Sequence, residues 1–361
     1  MRTLLAIAVV FAHSYGFIFV GGRNAVQLFY TISGFLISYV LVERKAYNTI
    51  SSFYINRYLR LYPIYFAVAM FTLFVYMTSS AAGLDIDFFQ IYYDAPLAAN
   101  LLLLFSNVLI FMQDWVMFAG VDNNQLVFSA NFTKSEVVLW PALLVPQAWT
   151  LGVELTFYLI APFVLPKRRV LYVFIALSIS LRIYLIHIGL GWHDPWTYRF
   201  FPTELAFFLL GAMAHQVLLP YYRTKLTNDR LEKYARASTL ALVIITITYW
   251  IIPVSEPIKT TGLFIVFLML MPLAFIFQAN RKWDQRIGDL SYPIYICHMC
   301  VIHLINVLFG KIGVTEKWFY GMTAVVGSVC FSMILNYYIG RPIESLRNRY
   351  RTGINPSRLP H

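Results

Sequence analysis

Residues 259–279 read KTTGLFIVFLMLMPLAFIFQA, and Lys259 carries the only ionisable side chain among them. A helix needs about 20 mostly apolar residues to cross the hydrocarbon core of a bilayer, which is ~30 Å thick. This run has both the length and the composition. It therefore predicts a membrane-spanning helix with which the rest of the chain can be compared.

The composition of the whole chain also indicates that much of its surface faces lipid. Of 361 residues, 59% are hydrophobic and only 12% are charged, whereas a soluble domain carries about 25% charged residues. So few charges cannot cover a water-facing surface, which leaves lipid as the solvent. The net charge of +11 is typical of this class, because Lys and Arg collect in cytoplasmic loops. We therefore take the charge as an orientation signal and expect no nucleic-acid partner.

Besides 259–279, ten other stretches of the chain are apolar enough to be candidate membrane spans. The N-terminal stretch, 3–20, is too long for a signal-peptide core of ~7–15 residues, so we interpret it as a retained membrane span. No repeat or long linker divides the chain, which predicts one integral membrane domain (1–345) and a short basic cytoplasmic tail (346–361). The eleven candidate segments are 3–20, 27–43, 62–78, 98–117, 148–165, 170–188, 203–219, 238–254, 259–279, 291–309 and 318–339.

Loop charges test the number of crossings. If all eleven segments crossed, the basic clusters 167–169 and 223–236 would lie outside, against the positive-inside tendency. Segment 98–117 is also polar, with Asn and Asp side chains, and irregular backbone at membrane depth survives only against protein or water. We therefore predict an all-α polytopic bundle of about ten spans plus one re-entrant or interfacial helix. Both termini would be cytoplasmic, and residues 79–147 would form a large region on the outer side of the membrane.

Arg2 and His13 share one face of the first helix, because eleven positions at 100° per residue come within about 20° of whole turns. They stand about 16 Å apart along the axis, which places Arg2 at the cytoplasmic mouth and His13 near mid-membrane. A polar group inside the bilayer usually faces an interior cavity, so His13 is a candidate general base. In the alternative interpretation, Arg2 only anchors the helix at the cytoplasmic side, and His13 is hydrogen-bonded to a neighbouring backbone carbonyl.

Glu154 follows Trp149 by five residues, roughly 8 Å below the outer interface by helical rise, near the expected depth of His13. A carboxylate beside an imidazole fixes its tautomer and stabilises the imidazolium. Glu154 is therefore a candidate partner of His13. A structural carboxyl bonded to another helix is the alternative.

Arg57 and Arg60 lie in RYLRLYP, residues 57–63, three apart on one helix face. Two guanidiniums at a cytoplasmic mouth can bind phosphates through bidentate contacts. With Arg2 they form a candidate anion site, and an ordinary positive-inside anchor is the alternative.

His298 lies in GDLSYPIYICHMC, residues 288–300, about 10 Å from the cytoplasmic side by helical rise. Cys297 and Cys300 flank it, but no second ligand cluster accompanies them, and buried thiols mostly behave as small apolar residues. We therefore expect no metal site and no disulfide framework.

Taken in order, these constellations resemble the acyltransferase 3 family of integral membrane acyltransferases. The family's Arg, ten residues, His pattern is matched by Arg2 and His13, and its Arg-x-x-Arg-x-x-Pro pattern by residues 57–63. Its Phe-Phe-x-Ile-Ser-Gly-Phe-Leu element is matched by residues 29–36, and its Trp-Ser-Leu-x-x-Glu-x-x-Phe-Tyr element by 149–158, with Thr150 in place of Ser. Its Ser-Tyr-x-x-Tyr-x-x-His element is matched by 291–298. The family's closing Glu-Lys/Arg-Pro is replaced here by Gly340-Arg341-Pro342.

The resemblance implies transfer of an acetyl or similar short acyl group from acyl-coenzyme A, a co-substrate rather than a tightly bound cofactor, to a carbohydrate hydroxyl. Direct transfer and an acyl-enzyme on His13 or a nearby serine both remain open, as does succinyl transfer. A transporter or flippase, or a non-catalytic membrane partner of another enzyme, is the alternative class. The expected roles are catalytic for His13 and Glu154, donor-binding for Arg2, Arg57 and Arg60, and substrate pocket for Ser33, Trp149, Tyr292, Tyr295 and His298.

Overall fold

The computed structural model describes residues 1–14, 17, 19–84, 86–279, 281–312 and 316–351, without the side chains of 310–312. Within this part the chain is predominantly helical. The helices are α1 (Arg2–Ser14), α2 (Gly22–Ser38), α3 (Ile50–Ala81), α4 (Asp87–Asp94), α5 (Leu97–Leu109), α6 (Trp149–Val164), α7 (Arg168–His187), α8 (Phe201–Met213), α9 (Leu219–Lys225), α10 (Asn228–Thr248), α11 (Glu256–Ala279), α12 (Lys282–Asp289), α13 (Ser291–Ile312), α14 (Lys317–Leu335) and α15 (Arg341–Asn348).

Shorter helical turns connect these elements. Three are π-helical: Tyr39–Glu43, Ala214–Leu218 and Asn336–Gly340. Single 3₁₀ turns lie at Trp115–Phe118, Phe132–Lys134, Trp140–Ala142, Pro146–Ala148, Leu190–Trp192 and Tyr249–Ile251.

Eight helical stretches of the described chain are long and apolar enough to cross a membrane, which confirms a multi-pass helical membrane protein. The predicted spans 3–20 and 148–165 correspond to α1 and α6, of 13 and 16 residues, shorter than the ~20 residues of a typical span. The count of ten and the cytoplasmic termini therefore stay predictions. The eight stretches are Gly22–Glu43, Ile50–Ala81, Arg168–His187, Phe201–Lys225, Asn228–Ile251, Glu256–Ala279, Lys282–Phe309 and Lys317–Asn348.

Segment 98–117 is not one continuous helix. Helix α5 has 13 residues, about 20 Å of rise, and it ends where Ile110 and Met112 adopt positive φ angles of 60° and 72°. Asp114, just beyond, is buried against Gly152 of α6. The polar end of this segment thus packs on protein, which is the environment that the predicted re-entrant helix would need.

Region 79–147 contains a β-hairpin that the all-α prediction did not include. Strand β1 (Ala119–Asp122) pairs antiparallel with β2 (Gln125–Phe128). The two turn residues, Asn123 and Asn124, have φ angles of 50° and 57°, the geometry of a type I′ turn, which asparagine tolerates. The Asn-Asn pair was the sequence signal for this turn.

The inner helices approach one another through small residues. A Cβ on Gly34 of α2 would lie 1.8 Å from the carbonyl oxygen of Phe208 in α8, and one on Gly211 would lie 1.9 Å from that of Thr31. Such small-residue contacts let helix backbones touch in membranes. Helix α1 packs against α2, α13 and α14, so the residues of these helices face one another inside the bundle.

The predicted tail, 346–361, begins inside α15, and its residues 352–361 lie outside the described part of the chain.

Candidate functional site

A narrow cavity of about 100 Å³, here called the inner cavity, lies between α1, α2, α3, α6 and α13. A space of this size accommodates several water molecules, since one needs only ~10–15 Å³ of such volume. Seven of the ten predicted site residues line it, which brings together positions from across the sequence: Arg2, Ser33, Arg57, Arg60, Glu154, Tyr292 and Tyr295.

Glu154 accepts two hydrogen bonds on one carboxylate oxygen. The Ser33 hydroxyl donates to Oε1 at 2.5 Å, and the Tyr158 hydroxyl, one helical turn along α6, donates to the same atom. Among the described residues no hydrogen bond joins Glu154 to His13. The hydrogen-bond partners of the Glu154 carboxylate therefore lie on α2 and α6. The similar expected depths of Glu154 and His13 had suggested the His13 imidazole as its partner instead.

Arg57 is held in the wall of the inner cavity. Its guanidinium donates to Tyr47 Oη and Asn56 Oδ1, both at 2.8 Å, and lies 5.6 Å and 5.8 Å from the ring centres of Phe53 and Tyr158. Only 5% of the residue is exposed. One end of the guanidinium is therefore committed to the fold, whereas its buried Nε has no hydrogen-bond partner among the described residues.

Arg2 and Arg60 differ from Arg57, because neither makes a hydrogen bond or ion pair with any residue that the structure describes. The two guanidiniums act on each other electrostatically, with Asp289 and Glu154 as nearby counter-charges. Each arginine offers five N–H donors. We call this pair the neck, because both residues line the inner cavity and the two larger cavities beside it.

The first of these, the vestibule, has a volume of about 850 Å³. Three carboxylates, Glu43, Asp284 and Asp289, face its basic side chains. Its arginines are Arg2, Arg44, Arg57, Arg60, Arg223 and Arg351. A second chamber of about 1,020 Å³ shares the neck and adds Arg286, Arg341 and Arg347. We call this side of the molecule the basic end.

Tyr295 closes the inner cavity on the side away from the basic end. Its hydroxyl accepts a hydrogen bond from Thr150 Oγ1 at 3.1 Å and donates to the carbonyl of Gln147 at 3.3 Å. Tyr292, one turn earlier, donates to the carbonyl of Leu61 at 2.6 Å. Both tyrosine rings are thereby fixed as walls of the cavity.

His13 and His298 lie together beyond Tyr295. Their ring centres are 5.3 Å apart, and the His298 ring is 5.7 Å from that of Tyr295. His13 is exposed, whereas His298 is fully buried. Neither histidine lines any of the three cavities.

Trp149 also lies outside the three cavities. Its ring packs against Tyr198 at 4.9 Å, and the Arg199 guanidinium stacks over it at 4.3 Å. Arg199 also acts electrostatically on His13, so Trp149 belongs to the same end of the molecule as the histidine pair. The predicted site residues thus form two groups on either side of Tyr295.

Several residues of the site were not predicted. Tyr158 has a sequence signal, since it lies four positions after Glu154 and so shares its helix face. Glu43, by contrast, bonds to His215 Nε2 at 2.9 Å and to Arg223 at 3.1 Å. No spacing rule connects residues this far apart in the sequence.

The described residues contain no group of three or more His, Cys, Asp or Glu side chains placed to hold a metal ion. Cys297 and Cys300 are buried free thiols.

A family model described as an acyltransferase domain, that of the acyltransferase 3 family, matches residues 1–337. The protein named Nodulation protein 10 from Rhizobium leguminosarum bv. viciae is 23% identical over 374 aligned positions, which cover 96% of this chain and 92% of that relative. No solved structure matches the chain.

Proposed function

Since the chain belongs to the acyltransferase 3 family of membrane acyltransferases, we propose that it transfers an acetyl or similar short acyl group from acyl-coenzyme A to a carbohydrate hydroxyl. The acceptor is a cell-surface glycan or glycolipid, and the protein works in a bacterial inner membrane with its basic end in the cytoplasm. The observation that carries this proposal is the neck, where two arginines that make no hydrogen bond or ion pair with the described residues join an arginine-lined vestibule to the inner cavity.

The vestibule suits the phosphorylated part of the donor. Its volume of about 850 Å³ lies within the ~300–1,000 Å³ of typical ligand sites. Guanidinium groups bind phosphate oxygens through paired, charge-assisted hydrogen bonds, and Arg2 and Arg60 make no hydrogen bond with any residue of the described ranges that would compete with such bonds. Coenzyme A phosphates therefore bind at the neck, which directs the thioester towards the inner cavity.

The inner cavity is the path of the acyl group. At about 100 Å³ it is too small for the donor's acyl-bearing arm, so the cavity widens when the donor enters. Tyr295 is the side chain that separates this path from the histidine pair, and the two connect when its hydroxyl gives up its hydrogen bonds to Thr150 and Gln147.

His13 acts as general base on the acceptor. As the acceptor oxygen attacks the thioester carbonyl carbon, His13 takes the hydroxyl proton, and the carbon–sulfur bond breaks. The proton then passes to the departing sulfur, which leaves an ester and free coenzyme A. General-base catalysis of this kind contributes about 10²–10⁴-fold.

Two routes fit this arrangement. In direct transfer, the thioester reaches His13 past Tyr295. In the second route an acyl-enzyme forms first, on Ser33 or His13. Incubation with radiolabelled acetyl-coenzyme A and no acceptor distinguishes them, because only the second route leaves label on the protein, and Ser33→Ala identifies the serine.

The proposal is tested with the purified protein in lipid nanodiscs, supplied with acetyl-coenzyme A and extracted surface glycans. Release of free coenzyme A together with acyl incorporation into glycan is the expected result. Mass spectrometry of surface glycans from cells with and without the gene then identifies the acceptor by one acyl unit of mass. If neither assay detects acyl-coenzyme A-dependent transfer, the proposal is wrong, and transport of a glycan-linked solute becomes the activity to measure.

A further inference from the structure

His298 is locked in one tautomer. Its Nδ1 lies 2.7 Å from the backbone carbonyl oxygen of Tyr295, and a carbonyl oxygen only accepts hydrogen bonds. Nδ1 therefore carries the proton, and in the neutral ring Nε2 carries a lone pair. A backbone contact of this kind on one ring nitrogen decides the chemistry of the other.

The Nε2 lone pair of His298 has no partner among the described residues, although the residue is fully buried. Buried polar atoms are nearly always hydrogen-bonded, so each exception calls for an explanation. The neighbouring imidazole is that of His13, whose ring centre is 5.3 Å away at an interplanar angle of 37°.

His13 can supply the missing donor. It makes no hydrogen bond within the described part of the chain, and its ring already lies beside that of His298. A rotation of the His13 ring would bring an N–H to the ~2.7–3.2 Å of a hydrogen bond with His298 Nε2, and one bridging water molecule would serve the same purpose.

We propose that His298 is the positioning residue of His13, forming the series Tyr295 carbonyl, His298 imidazole, His13 imidazole. This inference rests on the proposed function, in which His13 is the general base. A hydrogen bond from His13 to His298 Nε2 fixes the tautomer of His13 and leaves its other nitrogen with the lone pair that removes the acceptor proton. His298 thus has the role that the sequence had suggested for Glu154.

The charges around the pair make this partner important. Among the described residues, the charged side chain recorded as acting on His13 is the cation Arg199, while the phenol of Tyr295 lies beside His298. An imidazolium formed on His13 is therefore stabilised by the His298 lone pair rather than by an anion.

Helix α13 offers a matched control. His303, five residues after His298, also has a buried Nε2 without a partner in the described chain, but its ring packs on Tyr76 at 5.0 Å instead of on a second imidazole. A variant of His303 therefore changes a histidine of the same helix without changing the pair.

The test uses His298→Asn, His298→Gln and His303→Asn in nanodiscs. Asparagine keeps an N–H for the Tyr295 carbonyl but has no group at the Nε2 position, whereas the longer glutamine places an amide oxygen near that position. We expect His298→Asn to lower kcat on the order of 10- to 100-fold, below the full effect of losing a general base, with the KM of both substrates within about twofold. His298→Gln should recover part of this loss, and His303→Asn should leave kcat unchanged.

Two further results decide the inference. Adding His298→Asn to His13→Ala should reduce the rate no further, because residues that act as a unit are not additive. Wild-type kcat in His298→Asn, or losses that multiply in the double variant, would overturn the positioning role while the transfer activity itself stands. If the wild-type protein transfers no acyl group, both proposals fall.

If the His298 variants do not fold, ¹⁵N chemical shifts of the labelled wild-type histidines report the tautomer. The Nδ1–H form supports the inference, and the Nε2–H form overturns it.

Discussion

The Ser33 hydroxyl donates a hydrogen bond of 2.5 Å to Glu154 Oε1, which joins α2 to α6 inside the bundle. Tyr158 donates to the same oxygen, so two hydroxyl groups hold one carboxylate beside the neck. Glu154 is thereby a fixed acceptor in the wall of the inner cavity, with its negative charge facing Arg2. The contacts of Glu154 should therefore affect the stability of the protein and the shape of the inner cavity.

Removing one of the two donors should destabilise the protein. Tyr158 is buried, and a hydrogen bond to a charged group contributes about 1.5–3 kcal/mol. We therefore expect Tyr158→Phe to lower the free energy of unfolding by roughly that amount, measured by denaturation in detergent. Tyr172→Phe is the control, because Tyr172 is exposed on α7 and makes no hydrogen bond within the described chain. Equal stabilities of the two variants would contradict the assigned role of Tyr158.

Donor binding should depend on the neck. Because Arg60 has no hydrogen-bond partner in the described chain and lines the vestibule and inner cavity, its donors are available to phosphate. We expect Arg60→Gln to raise the KM for acyl-coenzyme A by roughly 10- to 100-fold, the effect of losing charge-assisted bonds of about 1.5–3 kcal/mol, with the acceptor KM unchanged. Arg286→Gln is the matched control, because Arg286 lines the second chamber but not the vestibule. An unchanged donor KM in Arg60→Gln would exclude the neck as a phosphate site.

Glu43 should oppose donor binding. Its carboxylate pairs with Arg223 at 3.1 Å on the wall of the vestibule, where it competes with incoming phosphates for that arginine. We expect Glu43→Gln to lower the donor KM several-fold at low salt, and the effect should shrink as salt screens exposed charges. Asp229→Asn, which removes a carboxylate of α10 that does not line the vestibule, should leave the KM unchanged. A higher donor KM in Glu43→Gln would show that the carboxylate instead supports the site.

The contact between α2 and α8 should not tolerate a side chain. A Cβ on Gly34 would lie 1.8 Å from a backbone carbonyl oxygen of Phe208, and backbone cannot rotate away as a side chain does. We expect Gly34→Ala to cost more than the ~1–3 kcal/mol of ordinary overpacking, seen as loss of folded protein on size-exclusion chromatography. Gly262→Ala should fold normally, because nothing lies within 4 Å of that Cβ position. Wild-type yield and stability of Gly34→Ala would show that the two helices can separate at little cost.

Much of the helical architecture could be predicted, because a membrane span is specified locally. A run such as 259–279 must satisfy its own backbone hydrogen bonds in lipid, so length and apolarity alone predict the helix, and α11 extends over Glu256–Ala279. The shared face of Arg2 and His13 follows from helix geometry in the same way, and α1 is continuous from Arg2 to Ser14. The β-hairpin of region 79–147 was not predicted, because its strands are only four residues long.

The sequence by itself indicated the membrane solvent, the helical runs and seven of the residues that line the inner cavity. Only the tertiary structure decided which polar group faces which. Helical rise places Glu154 and His13 at similar depths, but it does not specify the rotation of α6 or its neighbours. Packing of α6 on α2 turns Glu154 to Ser33, while packing of α1 on α13 puts His13 beside His298. Depth is a property of one helix, whereas a hydrogen bond requires the relative placement of two.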